Sequence, residues 1–193
     1  AIILADGVIG QMMEKVVLPE QRTRLTDEEV IARCPWATTG RTHHRTPNII
    51  TSLELDPAEM EKRNIHLQKK YAEIEENEVR FEELHCEDAE YLIVAFGSCA
   101  RIAQKAMEMA REEGIKVGLL RPITLWPFPS KAIAARAAQV KGILTVELNA
   151  GQMVEDVRLA VECKVPVEHF GRLGGIVPDP DEVITALKEK LIK

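Results

Sequence analysis

The sequence predicts an α/β protein of three layers, in which helices cover both faces of a mostly parallel sheet of about five strands. Apolar strands start near Tyr91, Lys116, Gly142 and Val165, at intervals of about 25 residues. Apolar residues recur at helical spacing between them, which is typical of βαβ units and a parallel sheet. The segment 81–84 comes too soon before the first of these strands for a crossover, so it is predicted as an antiparallel edge strand.

The first 40 residues are predicted to be the remnant of an upstream α/β domain. They open with a short apolar run that reads as a buried strand ending in a turn at Asp6 and Gly7. Residues 41–86 then form a connector with a long acidic helix, which Asp56 caps. Its narrow apolar stripe favours a mostly solvated helix on the domain surface, with a coiled-coil partner as the alternative. Residues 87–193 form the main domain.

Each strand of the main domain is followed by a predicted helix. The first runs from Cys99 to Gly114, with Ser98 as its cap, and buries small alanines against the sheet. The second starts at Ser130 and ends at Gly142, and the third turns Met153, Val154, Val157, Ala160 and Val161 inward. The last opens with a capping box from Asp179 to Glu182.

Composition excludes several classes of function. The net charge of −6 argues against a surface that neutralises nucleic-acid phosphates, and the apolar runs are too short to span a membrane. The four cysteines stand at wide spacing without partner histidines, which predicts reduced thiols, two of them buried in helices, and neither a zinc nor an iron–sulfur site. Adjacent His43 and His44 do not make a metal site either. These features predict a cytoplasmic protein.

Ligands and partners of open α/β sheets gather at the carboxyl ends of the strands. The candidate surface there, predicted as an interface, comprises Gly97, Ser98, Arg121, Trp126, Phe128, Glu147, Asn149, Gln152 and Arg172. The turn at Gly97 and Ser98 is compatible with phosphate, but a plain helix cap is favoured. Prolines on both sides of the two aromatic residues present them without much loss of entropy on docking. Arg172 is a candidate ligand for phosphate or carboxylate, or part of an ordinary glycine-rich loop. No catalytic or metal-binding residue is assigned, and the cofactor-binding residues are unknown.

Several segments carry a specific resemblance: ADGVIGQMME, GRT..TPNIITSLELDP, AFGSCARIA, GIKVGLLRPITLWPFP, VELNAGQMVEDVRLAV and FGRLGGIVPDP. They resemble the α subunit of the 2-oxoacid:ferredoxin oxidoreductases, and most of all the enzymes for branched-chain 2-oxoacids (3-methyl-2-oxobutanoate, or ketoisovalerate). The 2-oxoglutarate enzymes are the close alternative. The resemblance implies that residues 87–193 form a transketolase C-terminal-like domain and that residues 1–40 are the tail of a pyrimidine-binding domain.

The resemblance also implies a reaction. Thiamine diphosphate-dependent enzymes of this family convert a 2-oxoacid, coenzyme A and oxidised ferredoxin into an acyl-CoA, carbon dioxide and reduced ferredoxin. The resemblance further implies that thiamine diphosphate, magnesium and iron–sulfur clusters are held elsewhere, in β, γ and ferredoxin-like subunits. It implies as well that this chain alone binds no cofactor and is inactive. Two other classes stay open: a non-enzymatic assembly module, and a nucleotide-binding domain that uses the turn at Gly97 and Ser98.

Overall fold

The computed structural model describes residues 2–5, 7–13, 15–37 and 49–192 of the chain. Two helices precede the sheet, α1 (Asp27–Arg33) and α2 (Pro57–Asn77). Strand β1 (Phe81–Leu84) follows, and from the next strand onward strands and helices alternate: β2 (Tyr91–Ala95), α3 (Gly97–Glu112), β3 (Val117–Pro122), α4 (Ser130–Ala137), β4 (Ile143–Glu147), α5 (Met153–Val161), β5 (Val167–Gly171) and α6 (Pro180–Leu187).

The five strands form one sheet in the order β1-β3-β2-β4-β5. Strands β3, β2, β4 and β5 are parallel, and β1 pairs antiparallel with β3 along the edge, with Phe81 opposite Pro122 and Leu84 opposite Leu119. The predicted mixed sheet and its antiparallel edge strand are therefore confirmed.

Helices cover both faces of the sheet, and each face has its own apolar core. Strand β2 shows why, because Ile93 points to the face covered by α3 and α6 while Leu92 and Val94 point to the face covered by α4 and α5. Four alanines of α3 are almost completely buried, which lets this helix lie close to the sheet. The three-layer arrangement agrees with the prediction.

The helix termini follow the sequence signals in part. Asp56 accepts hydrogen bonds from the backbone amides of Ala58 and Glu59 at 2.8 and 3.2 Å, and Asp179 and Glu182 form the predicted capping box of α6. Ser98 is not a cap: α3 begins at Gly97, and Phe96 occupies the cap position without a side-chain bond. Likewise Ser130 lies inside the first turn of α4, after Pro129.

The chain divides into two compact units, Ala1–Ile65 and His66–Lys193, with the division inside α2. The strand predicted for the opening residues is wrong in the described part, because Ile2, Ile3 and Leu4 are in no strand and are almost fully exposed. No described strand lies beside them to take up their backbone hydrogen bonds. Asp6, His43 and His44 lie outside the described residues. The domain boundaries at residues 40 and 86 stay predictions.

Candidate functional site

The carboxyl ends of the four parallel strands meet along one edge of the sheet. From β2 the chain crosses to β3 on one side, and it later returns to β4 on the other side of β2. The point where the connections diverge therefore lies between the ends of β2 and β4, where open α/β sheets form a crevice. Gly97 and Ser98 follow β2 there, and the loop 148–152 follows β4.

Glu147 is the last residue of β4, and its side chain is fully buried. Its Oε2 accepts hydrogen bonds from the backbone amides of Gln152 and Met153 at 3.2 and 2.8 Å, and Oε1 accepts one from Val154 at 3.0 Å. These amides begin α5, so the carboxylate occupies the place where a helix N-terminus would otherwise attract an anion. Glu147 was predicted as part of an interface surface, but its side chain contributes to the interior.

His169 in β5 lies beside this carboxylate. Its Nδ1 is 3.4 Å from Glu147 Oε1 and 3.1 Å from Thr145 Oγ1, while Nε2 is 3.3 Å from the backbone oxygen of Asn149. Close packing accompanies these contacts, since a Cβ placed on Gly171 would lie 2.2 Å from the same Asn149 oxygen. The sequence analysis missed His169, because only the pairing of β4 with β5 sets Thr145 opposite it.

Asn149 and Gln152, both predicted site residues, shape the loop between β4 and α5. Asn149 Oδ1 accepts a hydrogen bond from the backbone amide of Gly151 at 2.7 Å, and Gly151 has a φ of 113°, which favours glycine. Gln152 is exposed, and only its backbone amide contacts Glu147.

The two predicted site arginines form ion pairs within the chain. Arg172 Nη1 lies 2.6 Å from Glu182 Oε1 of α6, and Arg121 Nη1 lies 2.9 Å from Glu82 Oε2 of β1. An arginine that already holds a carboxylate binds a second anion less readily, so Arg172 does not support a phosphate site. The pairing of Arg121 is incomplete, because its Nε is buried without a hydrogen-bond partner among the described residues.

Trp126 and Phe128 follow β3. Thr124 Oγ1 donates a hydrogen bond to the backbone oxygen of Pro127 at 2.8 Å and so closes the loop. Trp126 is 55% exposed and contacts Tyr71 of α2 edge to face, with ring centroids 5.6 Å apart, whereas Phe128 is half-buried against the core under α4 and α5.

The structure separates the predicted surface into two patches. In the order β3-β2-β4-β5, three inter-strand spacings separate β3 from β5, a distance of about 14 Å. Trp126 and Phe128 form the patch after β3, and Asn149, Gln152 and Arg172 form the patch after β4 and β5. Gly97 and Ser98 stand between them, at the end of β2.

The cysteines do not gather into a reactive or ligating cluster in the described part of the chain, and none of the four forms a disulfide bond. Cys86 and Cys99 are buried, but only Cys99 lies in a helix, which corrects the prediction of two helical thiols. Burial raises the pKa of the Cys86 thiol to about 11, with Glu83 adding to the effect, so Cys86 stays protonated at neutral pH.

Two further searches concern only the described residues. No group of three or more His, Cys, Asp or Glu side chains is placed to hold a metal ion. No helix there combines the length and the apolar composition that a membrane span requires.

Residues 89–183 match the family described as pyruvate:ferredoxin oxidoreductase core domain II. This chain therefore contains a domain of the pyruvate:ferredoxin oxidoreductase type and is similar to subunits of the 2-oxoacid:ferredoxin oxidoreductases. It is 43% identical over 188 residues to the ketoisovalerate oxidoreductase subunit VorB of Methanothermobacter marburgensis, a match that covers 97% of this chain and 51% of that protein. It is 31% identical over 181 residues to the 2-oxoglutarate synthase subunit KorA of Archaeoglobus fulgidus, covering 92% of this chain and 50% of that protein.

Two solved structures resemble the fold. A 2-oxoglutarate:ferredoxin oxidoreductase from Magnetococcus marinus, solved with 2-oxoglutarate, coenzyme A and succinyl-CoA bound, superposes with a TM-score of 0.61 at 26% identity, over 70% of this chain and 24% of that one. A split-gene transketolase in an inactive tetramer superposes with a TM-score of 0.51 at 21% identity, over 58% of this chain and 41% of that one, which shows the fold alone. This chain thus spans about half the length of the curated relatives it matches.

Proposed function

We propose that this chain is the C-terminal part of the α subunit of a 2-oxoacid:ferredoxin oxidoreductase. The complete enzyme would use thiamine diphosphate to convert a 2-oxoacid, coenzyme A and oxidised ferredoxin into an acyl-CoA, carbon dioxide and reduced ferredoxin. A branched-chain 2-oxoacid is the favoured substrate, because identity to a ketoisovalerate oxidoreductase subunit is 43% while identity to a 2-oxoglutarate synthase subunit is 31%.

Within that enzyme this chain would act as a structural and assembly domain. The observation that carries this role is the state of the polar groups at the strand ends. Glu147 accepts three hydrogen bonds from backbone amides, and Arg172 pairs with Glu182. Groups that are already satisfied are poor candidates for acid–base or phosphate chemistry, whereas exposed Trp126 offers apolar area to a partner.

The cofactors of the reaction would then be bound outside this chain. The side chains described here offer no metal-ligand group, and Glu147 occupies the amides of α5 that could otherwise receive a diphosphate. The thiamine diphosphate-binding β subunit, the γ subunit and a ferredoxin-like subunit are the proposed partners.

Reconstitution tests the proposal. The complete α polypeptide, assembled anaerobically with its partner subunits, should reduce ferredoxin in the presence of coenzyme A with 3-methyl-2-oxobutanoate, and more slowly with 2-oxoglutarate. The 193-residue chain alone should be inactive and should contain no iron. Faster turnover of 2-oxoglutarate would reassign the substrate, and activity of the chain alone would contradict the assembly role.

A single substitution tests the assembly surface. Trp126→Ala should weaken association with the partner subunits by about 2 kcal/mol or more, because buried tryptophans are common anchors of interfaces. The matched control is Leu159→Ala on the outer face of α5, which should leave association unchanged. A much lower melting temperature of Trp126→Ala with unchanged association would identify Trp126 as a residue of the fold instead.

A further inference from the structure

A groove with a volume of about 950 Å³ runs beside the sheet, within the unit that begins at His66. One wall is the C-terminal part of α2, with Ala72, together with Val79 just after the helix, and the floor includes Phe81 of β1. The opposite wall is the segment from Trp126 to Ala132. We refer to this feature as the Trp126 groove.

The aromatic wall of the groove is held in place before any ligand binds. Trp126 is fixed by its edge-to-face contact with Tyr71. In the same loop, Thr124 Oγ1 donates a hydrogen bond to the backbone oxygen of Pro127 and accepts one from the backbone amide of Arg80. Prolines at positions 127 and 129 restrict the backbone further. A preformed apolar wall loses little conformational entropy when a partner docks.

The α2 wall also carries charge. Glu75 and Glu76 line the groove, and neither has an ion-pair partner among the residues that the structure describes. Two nearby carboxylates are paired instead, Glu59 with Lys62 and Glu78 with Arg80. The one basic side chain of the lining, Lys131, belongs to the opposite wall. The groove therefore combines apolar surface with a negative edge along α2.

We infer that the Trp126 groove binds a segment of a partner polypeptide that presents apolar side chains together with Lys or Arg. Apolar side chains would bury area against Trp126 and Phe128, while the cations would lie along Glu75 and Glu76. The inference rests on the proposed function only in assigning that segment to another subunit of the oxidoreductase.

Charge argues against the other occupants. The carboxylates of the α2 wall would repel a phosphate-bearing ligand or a nucleic acid. A second copy of this chain is disfavoured as well, because each copy carries a net charge of −6 and two copies would repel one another.

The first experiment uses the full chain in a Trp36→Phe background, so that fluorescence reports Trp126 alone. The probe is a synthetic peptide in which leucine alternates with arginine, and its control has glutamate in place of every arginine. The arginine peptide should shift Trp126 emission in a saturable and salt-sensitive way, and the glutamate peptide should not. The double variant Glu75→Gln/Glu76→Gln should bind about threefold to tenfold more weakly, as expected for two exposed ion pairs.

A matched double variant separates groove binding from general acidity. Glu61→Gln/Glu73→Gln removes the same charge from exposed positions of α2 outside the groove lining, so its affinity should equal that of the parent. Equal losses in the two variants, or no emission change with the arginine peptide, would overturn the inference. Sedimentation equilibrium supplies a further test. If the chain forms a dimer and Glu75→Gln/Glu76→Gln strengthens that dimerisation, the inference is also overturned.

The second experiment uses the assembled enzyme. A carbodiimide, which joins a carboxylate to an amine in direct contact, should link Glu75 or Glu76 to a lysine of another subunit. If Glu75 and Glu76 are cross-linked to residues of this chain and to no other subunit, the inference is overturned, even if the complex is active. If no active complex forms, the proposed function fails, and peptide binding to the full chain still decides the specificity of the groove.

Discussion

The two units of this chain use similar apolar residues with opposite results. In Ala1–Ile65 no described residue is buried, and large apolar side chains such as Leu4, Leu18 and Leu53 lie open to solvent. In His66–Lys193 the strands of the sheet face helices on both sides, and Leu92, Ile93 and Leu144 are inaccessible to solvent. Apolar sequence becomes a core only where another element faces it, because burial needs two surfaces.

Limited proteolysis should reveal this difference most strongly. Chymotrypsin should cut the unit Ala1–Ile65 first, for example after Trp36 or Leu53, because exposed chain needs no unfolding before cleavage. Cleavage between Tyr91 and Leu120 should be roughly a thousandfold slower or more, since it requires opening of the core. Mass spectrometry of the fragments would map both rates, and the urea-unfolded chain, where all sites are open, is the control. An early cut between Tyr91 and Leu120 would contradict the comparison, and the start of the resistant fragment would test the predicted boundary at residue 87.

Replacing the buried carboxylate should produce the largest change in stability. Glu147→Ala would leave three backbone amides of α5 without their acceptor inside the protein, at a cost of about 3 kcal/mol in the free energy of unfolding. Glu155→Ala, an exposed carboxylate of the same helix, should cost no more than about 1 kcal/mol. Urea unfolding followed by circular dichroism measures both, and equal costs would show that burial of Glu147 adds nothing.

Two glycine substitutions compare packing within the two units. Gly171→Ala should destabilise the protein by about 2 kcal/mol, because its Cβ would lie 2.2 Å from the Asn149 backbone oxygen and 2.6 Å from His169 Nε2. Gly10→Ala should leave stability nearly unchanged, because no atom lies within 4 Å of its Cβ. The shift in melting temperature of each variant is the measurement. A cost at Gly10 as large as at Gly171 would contradict the contrast in packing.

The smallest expected effect is pH-dependent and concerns the ion pair that joins β1 to α4. Arg136 donates hydrogen bonds of 2.9 and 2.6 Å to Glu83 and so lowers the pKa of this carboxyl below its ordinary value of 4.5. The pKa of the Glu83 carboxyl is lower in the folded state than in the unfolded state. The pair therefore contributes its full stabilisation of the folded state above about pH 4.5, and this contribution is lost as the pH falls through the folded pKa.

Glu83→Gln should therefore cost about 1 kcal/mol at pH 7 and much less at pH 3. Urea unfolding at both pH values gives the two differences. Arg136→Gln removes the other partner of the pair, and its cost in the free energy of unfolding should likewise be smaller at pH 3 than at pH 7. A cost of Glu83→Gln that stays constant with pH would mean that the charge of the pair is not its source.

Local pattern was enough to determine much of the fold of this protein. The spacing of apolar runs, the capping box at Asp179 and the few residues between Leu84 and Tyr91 predicted the parallel strands, the last helix and the antiparallel edge strand, all of which the structure contains. These signals act over one turn of helix or one strand, so they can be recognised in sequence without knowledge of distant contacts.

The site depended on contacts that no local pattern specifies. The lateral order of the strands divided the predicted surface into two patches, and the pairing of β4 with β5 brought His169 to Glu147. Tyr71 met Trp126 only because α2 packs beside the loop after β3. Residue spacing indicates which face of an element is apolar, whereas tertiary packing determines which residues lie against that face. Those neighbouring residues are the reason why Glu147 is buried while Trp126 stays exposed.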